Sequence, residues 1–139
     1  MDVHNGFWYF AHPYTVKDTA GQYVSAAEEA NFRLCCIRAG ELLQRGYNIY
    51  APICHTHPIH MHSPTFLSNH EHELWYELDV DFLERCSFDG IVLAPGWSDS
   101  KGCVAEERWF RTRGIPVAFY QDIVNGLAVS GPLASRRKG

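Results

Sequence analysis

Positive charge is scarce in this chain. Twelve Lys and Arg stand against sixteen Asp and Glu in 139 residues, a net charge of −4. Holding nucleic acid by its phosphates requires a basic face, so no nucleic-acid partner is expected. The basic cluster Arg136-Arg137-Lys138 stands at the very end and reads as a solubilising tail. Long apolar runs are missing too. None approaches the ~18 residues that a bilayer span requires, and no basic stretch leads into a long apolar core as in a secretory signal. No membrane partner is expected. Cysteine is sparse and odd in number, with five residues and no pair of CxxC units. Cys35 and Cys36 are adjacent and would face different directions on a helix. A disulfide framework is therefore not expected, and reduced thiols in a cytoplasm are the simpler reading. Internal repeats and low-complexity segments are also lacking.

What remains is an ordinary globular composition, 46% apolar and 20% charged, of a length suited to one domain. That domain spans residues 1–139, with a core at about 7–120 and a tail at 131–139. Phe7 to Ala11 is a run of large apolar residues ended by His12-Pro13, and reads as a strand buried on both faces. Residues 22–45 carry Val24, Ala27, Ala30, Leu34, Ile37 and Leu42 at helical spacing, with Gly46 as a stop. Gly40 inside that helix suggests close packing or a kink. Tyr47 to Ala51 is a second strand, closed by Pro52. Residues 53–72 read as a long loop rich in His and Pro. Residues 73–87 return to a helical pattern through Leu74, Leu78, Phe82 and Cys86. Gly90 to Ala94 is a third strand. Ser98-Asp99-Ser100 offers caps for a helix reaching about Arg113, and Ile115 to Tyr120 is a fourth strand, followed by a short helix.

Strands alternating with helices predict a three-layer α/β domain, a flavodoxin-like or Rossmann-like parallel sheet with helices on both faces. The expected order is 2-1-3-4, with a fifth strand left open. Ligands of such sheets bind beyond the carboxyl ends of the strands. Those places hold His12-Pro13-Tyr14, His55-Thr56-His57 and Trp97-Ser98-Asp99-Ser100.

Two glutamates lie together near the start of the last long helix. Glu106 falls in the sector of Cys103, Trp109 and Phe110, whereas Glu107 falls near Arg111 and forms an ordinary surface pair. An inward carboxylate at the pocket end of the sheet is a candidate nucleophile or general base, against the plainer reading of a glutamate held by a loop backbone. Asp79 and Asp81 border the apolar stripe of the preceding helix on opposite sides, and the helical wheel does not choose between them. Asp89 opens the third strand away from the pocket and reads as a turn or cap residue.

Tyr9-Phe10-Ala11-His12-Pro13-Tyr14, Ala51-Pro52-Ile53-Cys54-His55, Asp81-x7-Asp89 and Gly96-Trp97-x2-Ser100-x-Gly102-x3-Glu106 together resemble the nucleoside 2-deoxyribosyltransferase-like superfamily. The closer likeness is to its short, largely uncharacterised bacterial and phage members, related to nucleoside 5′-monophosphate N-glycosidases. The ordered set covers roughly residues 7–120. The resemblance implies cleavage or transfer at the N-glycosidic bond of a nucleoside or nucleotide, without a cofactor, in a homodimer or higher oligomer. Glu106 would be the nucleophile that forms a covalent glycosyl-enzyme. Asp81 matches the family aspartate through its offset from Asp89 and would bind the sugar or help protonate the leaving base. Tyr9 would orient the nucleophile. Ser100 would lie at the sugar or 5′-phosphate end, Gly102 would let backbone approach the ligand, and Trp97 could stack on the base. His12-Pro13-Tyr14-Thr15 stands where the N-glycosidases carry Ser and Arg for phosphate, so nucleoside and nucleotide both stay open.

Two other readings stand beside this one. A non-catalytic nucleotide-binding domain would keep the pocket without turnover. A metal-binding protein would use Cys54, His55, His57, His60, His62, His70 and His72, although these lack a fixed zinc spacing and are interrupted by Pro58 and Pro64. A reduced loop of solvated histidines, or a lid over the pocket, is the plainer account, and no metal ligand is assigned. His55, directly after the second strand, is the histidine expected to line the pocket, with His12 and Asp79 as further binding residues. Phe7, Trp8, Phe10, Phe82 and Phe110 are expected in the core; Trp75 and Trp97 adjoin the loop and the pocket end.

Overall fold

The computed structural model describes residues 6–63 and 72–126. His70, the basic cluster at 136–138 and the tail lie outside them. The chain begins with strand β1 (Trp8–Ala11), then helix α1 (Ser25–Gln44), β2 (Ile49–Tyr50), α2 (Pro52–His62) and α3 (His72–Arg85). It continues with β3 (Gly90–Leu93), a 3₁₀ turn at Trp97–Asp99, α4 (Lys101–Thr112), β4 (Val117–Phe119) and α5 (Tyr120–Val124). The four strands form one parallel sheet in the order β2-β1-β3-β4, as the alternation of elements predicts. Among the described residues there is no fifth strand, and no helix is long and apolar enough to cross a membrane.

All four residues of β1 are buried because the sheet is covered on both faces. Successive side chains point to opposite faces. Trp8 and Phe10 therefore pack with Cys35, Ala39 and Leu42 of α1 and Ile123 of α5. Tyr9 and Ala11 pack on the other face with Leu83 of α3 and with Cys103 and Phe110 of α4. Trp8 pairs with Gly90 across the sheet. A Cβ built on Gly90 would meet the Trp8 ring at 2.2 Å, so only glycine fits that position.

The first helix forms where its spacing predicts, but it turns a different face to the sheet. Its buried residues are Glu28, Cys35, Ala39 and Leu42, whereas Leu34 and Ile37 are 38% and 68% exposed. Small side chains let α1 lie close against Trp8 and Phe10, and this packing overrides the bulkier stripe. Gly40 is exposed, with open space where a Cβ would go, so the close packing suggested for it is absent.

The larger correction concerns the expected loop at 53–72. Its first part is the helix α2, an 11-residue element. Pro52 sits at the first turn, where its missing N–H is harmless. Pro58 lies inside the helix and removes one backbone bond. Packing offsets that loss: Ile53 and Cys54 pack against the core and His57 is buried on α1.

Candidate functional site

A cavity of about 790 Å³ opens at the carboxyl end of the sheet, within the range of small-molecule pockets. Phe10, Ala11 and His12 form its floor, Ile53, Thr56, His57 and His60 of α2 one wall, and Trp75, Tyr76 and Asp79 of α3 another. Ser100, Gly102 and Glu106 supply the α4 side. Tyr14 and Lys17 reach in from the segment after β1.

Glu106 follows Cys103 and precedes Phe110, both buried, on the inward face of α4. The hydroxyl of Tyr9 donates a hydrogen bond to its Oε2. Tyr9 is fully buried. Burial, and then the neighbouring Glu106 charge, hold its phenol well above the usual value, so it remains a donor. Burial pushes Glu106 up to about 8, the nearby Asp79 charge adds to the rise, and the Tyr9 bond opposes it. Asp79 is pushed to about 7 by burial. The cavity therefore contains two carboxyls that ionise near neutrality and influence each other, the pattern of an acid and base pair.

Asp81 is not part of this site. Its side chain is 58% exposed and pairs with Arg85 one turn later at 3.1 Å. It borders a separate surface depression with Tyr76, Glu77 and Val80. The rotation of α3 is set by Phe82, which stacks on Tyr50 with ring centroids 4.5 Å apart. That contact brings Asp79, three residues earlier, to the cavity side.

His12 lines the cavity and is buried. Its Nδ1–H donates to the Pro13 carbonyl at 2.8 Å, so its Nε2 accepts from Arg38 at 3.0 Å. Burial lowers its pKa and the Arg38 charge adds to this, with the Pro13 bond opposing. His12 is thus a neutral, oriented ring. Ser100 caps α4, its Oγ accepting from the Cys103 N–H at 3.3 Å, and also faces the cavity. At Gly102 a Cβ would meet nothing within 4 Å, so no packing inside the protein calls for glycine there.

Two expected pocket residues point elsewhere. His55 is exposed and approaches Phe82. Trp97 packs against Phe119 at a centroid distance of 6.5 Å. Neither lines the cavity. Glu107 pairs with Arg111 at 3.0 Å, and Asp89 Oδ2 accepts the Phe7 N–H at 2.8 Å, as their positions suggest.

His57 replaces His55 in the wall. It is 4% exposed and stacks on Phe32 at 4.2 Å. Its Nε2 lies 2.8 Å from Glu29 Oε1 and its Nδ1 lies 2.7 Å from the Tyr14 hydroxyl. A carboxylate only accepts, so Nε2–H donates to Glu29, while Nδ1 hydrogen-bonds the Tyr14 hydroxyl. The hydrogen bond from His57 lowers the Glu29 pKa, and Arg33, at 2.9 Å, adds to it. This chain fixes the Tyr14 hydroxyl at the cavity. The signal for it was present in the sequence: Ile53, Thr56, His57 and His60 fall at i, i+3, i+4 and i+7, one face of a helix.

Among the described residues, no three His, Cys, Asp or Glu side chains converge in a way that could hold a metal ion. No curated protein matches the chain. The family model described as a domain of unknown function, DUF1937, matches residues 6–122. With that match running from before β1 into α5, the chain belongs to the DUF1937 family.

Proposed function

We propose that the cavity binds a nucleoside or nucleoside 5′-monophosphate and that Glu106 displaces its base. The observation that carries this reading is the Tyr9 hydroxyl bonded to Glu106 Oε2 beside a second carboxyl, Asp79, in one cavity. The sequence resemblance to the nucleoside 2-deoxyribosyltransferase-like superfamily supplies the reaction class. Asp79 takes the role that the resemblance assigns to Asp81.

In the first step Tyr9 holds Oε2, and the carboxylate of Glu106 attacks C1′ of the sugar. The C1′–N bond breaks, a C1′–O bond forms, and Asp79 gives its proton to the departing base. In the second step the oxygen of water, or the nitrogen of an incoming base, attacks C1′. Its proton returns to Asp79 and Glu106 leaves. Two displacements retain configuration. The state that starts the cycle has Glu106 ionised and Asp79 protonated, one proton shared by the pair. Burial raises both carboxyls, Glu106 to about 8 and Asp79 to about 7, so this is the minor arrangement of the shared proton, favoured by the Tyr9 donor to Glu106.

Ser100 Oγ and Lys101, at the first turn of α4, face the same cavity and suit the sugar or a phosphate. The reading includes a cytoplasmic enzyme that self-associates, as the resembling transferases complete their pockets from a neighbouring subunit. The test is to incubate the protein with deoxyribonucleosides, ribonucleosides and their 5′-monophosphates and measure free base by chromatography. Base release that is lost in Glu106→Gln supports the reading. Release that survives in Glu106→Gln, or none with any substrate, contradicts it.

A further inference from the structure

The interface between α1 and α2 holds three thiols that the cavity chemistry does not use. Cys35 and Cys36 are neighbours on α1, and Cys54 lies in the first turn of α2. Although consecutive helical residues point about 100° apart, both reach the same third sulfur. Cys36 Sγ is 3.5 Å and Cys35 Sγ 3.8 Å from Cys54 Sγ. The three differ in depth: Cys35 is buried, Cys54 half-buried and Cys36 exposed.

They differ in acidity as well. Hydrogen bonding with Cys35 and then Cys36 brings the Cys54 thiol down to about 7, with burial opposing. Burial and the Cys54 bond push Cys36 up to about 11. The Cys54 bond and burial push Cys35 up. The thiolate is the form that attacks oxidants, and near neutral pH Cys54 is the sulfur that supplies it.

We infer that Cys54 is an oxidation site for hydroperoxides and that Cys36 resolves it, so that oxidation joins α2 to α1 through a Cys36–Cys54 disulfide. The Cys54 thiolate attacks one peroxide oxygen, the O–O bond breaks, and hydroxide leaves and takes up a proton. The resulting sulfenic acid is attacked by the Cys36 sulfur, which loses its proton as the sulfenic oxygen leaves as water. Overall two thiols lose two electrons and one hydrogen peroxide becomes two waters. The sulfurs must close from 3.5 Å to about 2.05 Å, which side-chain rotation at the exposed Cys36 supplies. Cys35 is the poorer partner, being farther away and packed among Trp8, Phe10 and Leu42.

The bond would act on the cavity wall. Cys54 lies between Ile53 and Thr56, and one helical turn before His57, all three lining the cavity. His57 already ties α2 to α1 through Glu29. A disulfide one turn away makes that tie covalent.

The test is independent of any glycosidic activity. Reduced full-length protein is treated with hydrogen peroxide at neutral pH, then alkylated and mapped by peptide mass spectrometry. The expected result is the loss of two hydrogens, one peptide pair linking Cys36 to Cys54, and a Tm raised by about 5–10 °C. Amide exchange in α2 should slow. In Cys36→Ser, a surface change, Cys54 should instead accumulate sulfenic acid that a dimedone probe captures. Oxidation that starts at another cysteine, a link through Cys35, a link between two chains, or sulfenic acid on Cys54 of the wild type with no link would each overturn the inference.

Discussion

The hydroxyl of Tyr9, in the buried first strand, donates to Oε2 of Glu106, in the fourth helix, across 97 positions of sequence. The strand contributes an immobile phenol and the helix a carboxylate whose phase is set by Cys103 and Phe110. The price of this arrangement is a carboxyl kept out of water. Its charge is opposed by burial and by Asp79, so the site is built against the stability of the fold.

That opposition has a sign that can be measured. A carboxyl raised in the fold binds its proton more tightly folded than unfolded, so its contribution favours the fold at low pH. The contribution is lost as pH rises from the ordinary value of 4.5 to the folded value of about 8. Glu106→Gln stays neutral and can still accept from Tyr9. It should be more stable than wild type by about 1–3 kcal/mol at pH 8 and nearly equal at pH 4.5. Urea unfolding at the two pH values measures this. A gain confined to pH 4.5 would contradict the burial of the charge.

Asp79 and Asp81 make a paired test. Asp79→Asn should lower base release by at least ~100-fold with natural bases, the scale of a lost general acid. Asp81→Asn should lower it less than twofold, since it removes only an exposed pair with Arg85. In wild type the pH profile of kcat/KM should be bell-shaped, with limbs belonging to the coupled pair near 7 and 8. Steady-state kinetics on the two variants decide it; the reverse ranking would restore Asp81 to the site.

His57 carries the chain from Glu29 to Tyr14. His57→Ala removes a buried ring, its stack on Phe32 and both hydrogen bonds, and should destabilise by about 2–4 kcal/mol. His55→Ala, at an exposed position, should change stability by less than about 0.5 kcal/mol. Thermal and urea unfolding of both variants would show whether His57 anchors the wall; equal effects would mean that it does not.

Two glycines should respond oppositely to alanine. At Gly90 the added methyl meets the Trp8 ring at 2.2 Å, and the overpacked core should lose about 1–3 kcal/mol or more. At Gly40 the methyl meets nothing, and helix propensity should raise stability by about 0.5–1 kcal/mol. Denaturant midpoints of the two variants, compared at equal slope, provide the check.

Much of this architecture was legible in the residues. The buried run at Trp8–Ala11, the helical spacing that follows and the stop signals at Gly46 and Pro52 mark alternating strands and helices. The inward phase of Glu106 followed from Cys103 and Phe110, because periodicity reports which residues share a face. It does not report which bulky face a helix buries, and Leu34 and Ile37 were misleading for that reason. Proline and histidine concealed α2, although Ile53, Thr56, His57 and His60 keep the spacing of one helix face. The choice of Asp79 over Asp81 depends on a helix rotation fixed by the distant Tyr50. Glu29, His57 and Tyr14 meet only in three dimensions, as do Cys36 and Cys54.

The most direct test of the central claim is to look for the covalent bond to Glu106. A nucleoside or nucleotide that proves to be a substrate is replaced by its 2-deoxy-2-fluoro sugar analogue, which slows release from the enzyme by destabilising positive charge at C1′. Intact-mass and peptide mapping should then show one fluorosugar per chain, attached at Glu106. Base release that proceeds with no adduct, or with the sugar on another residue, would contradict the account.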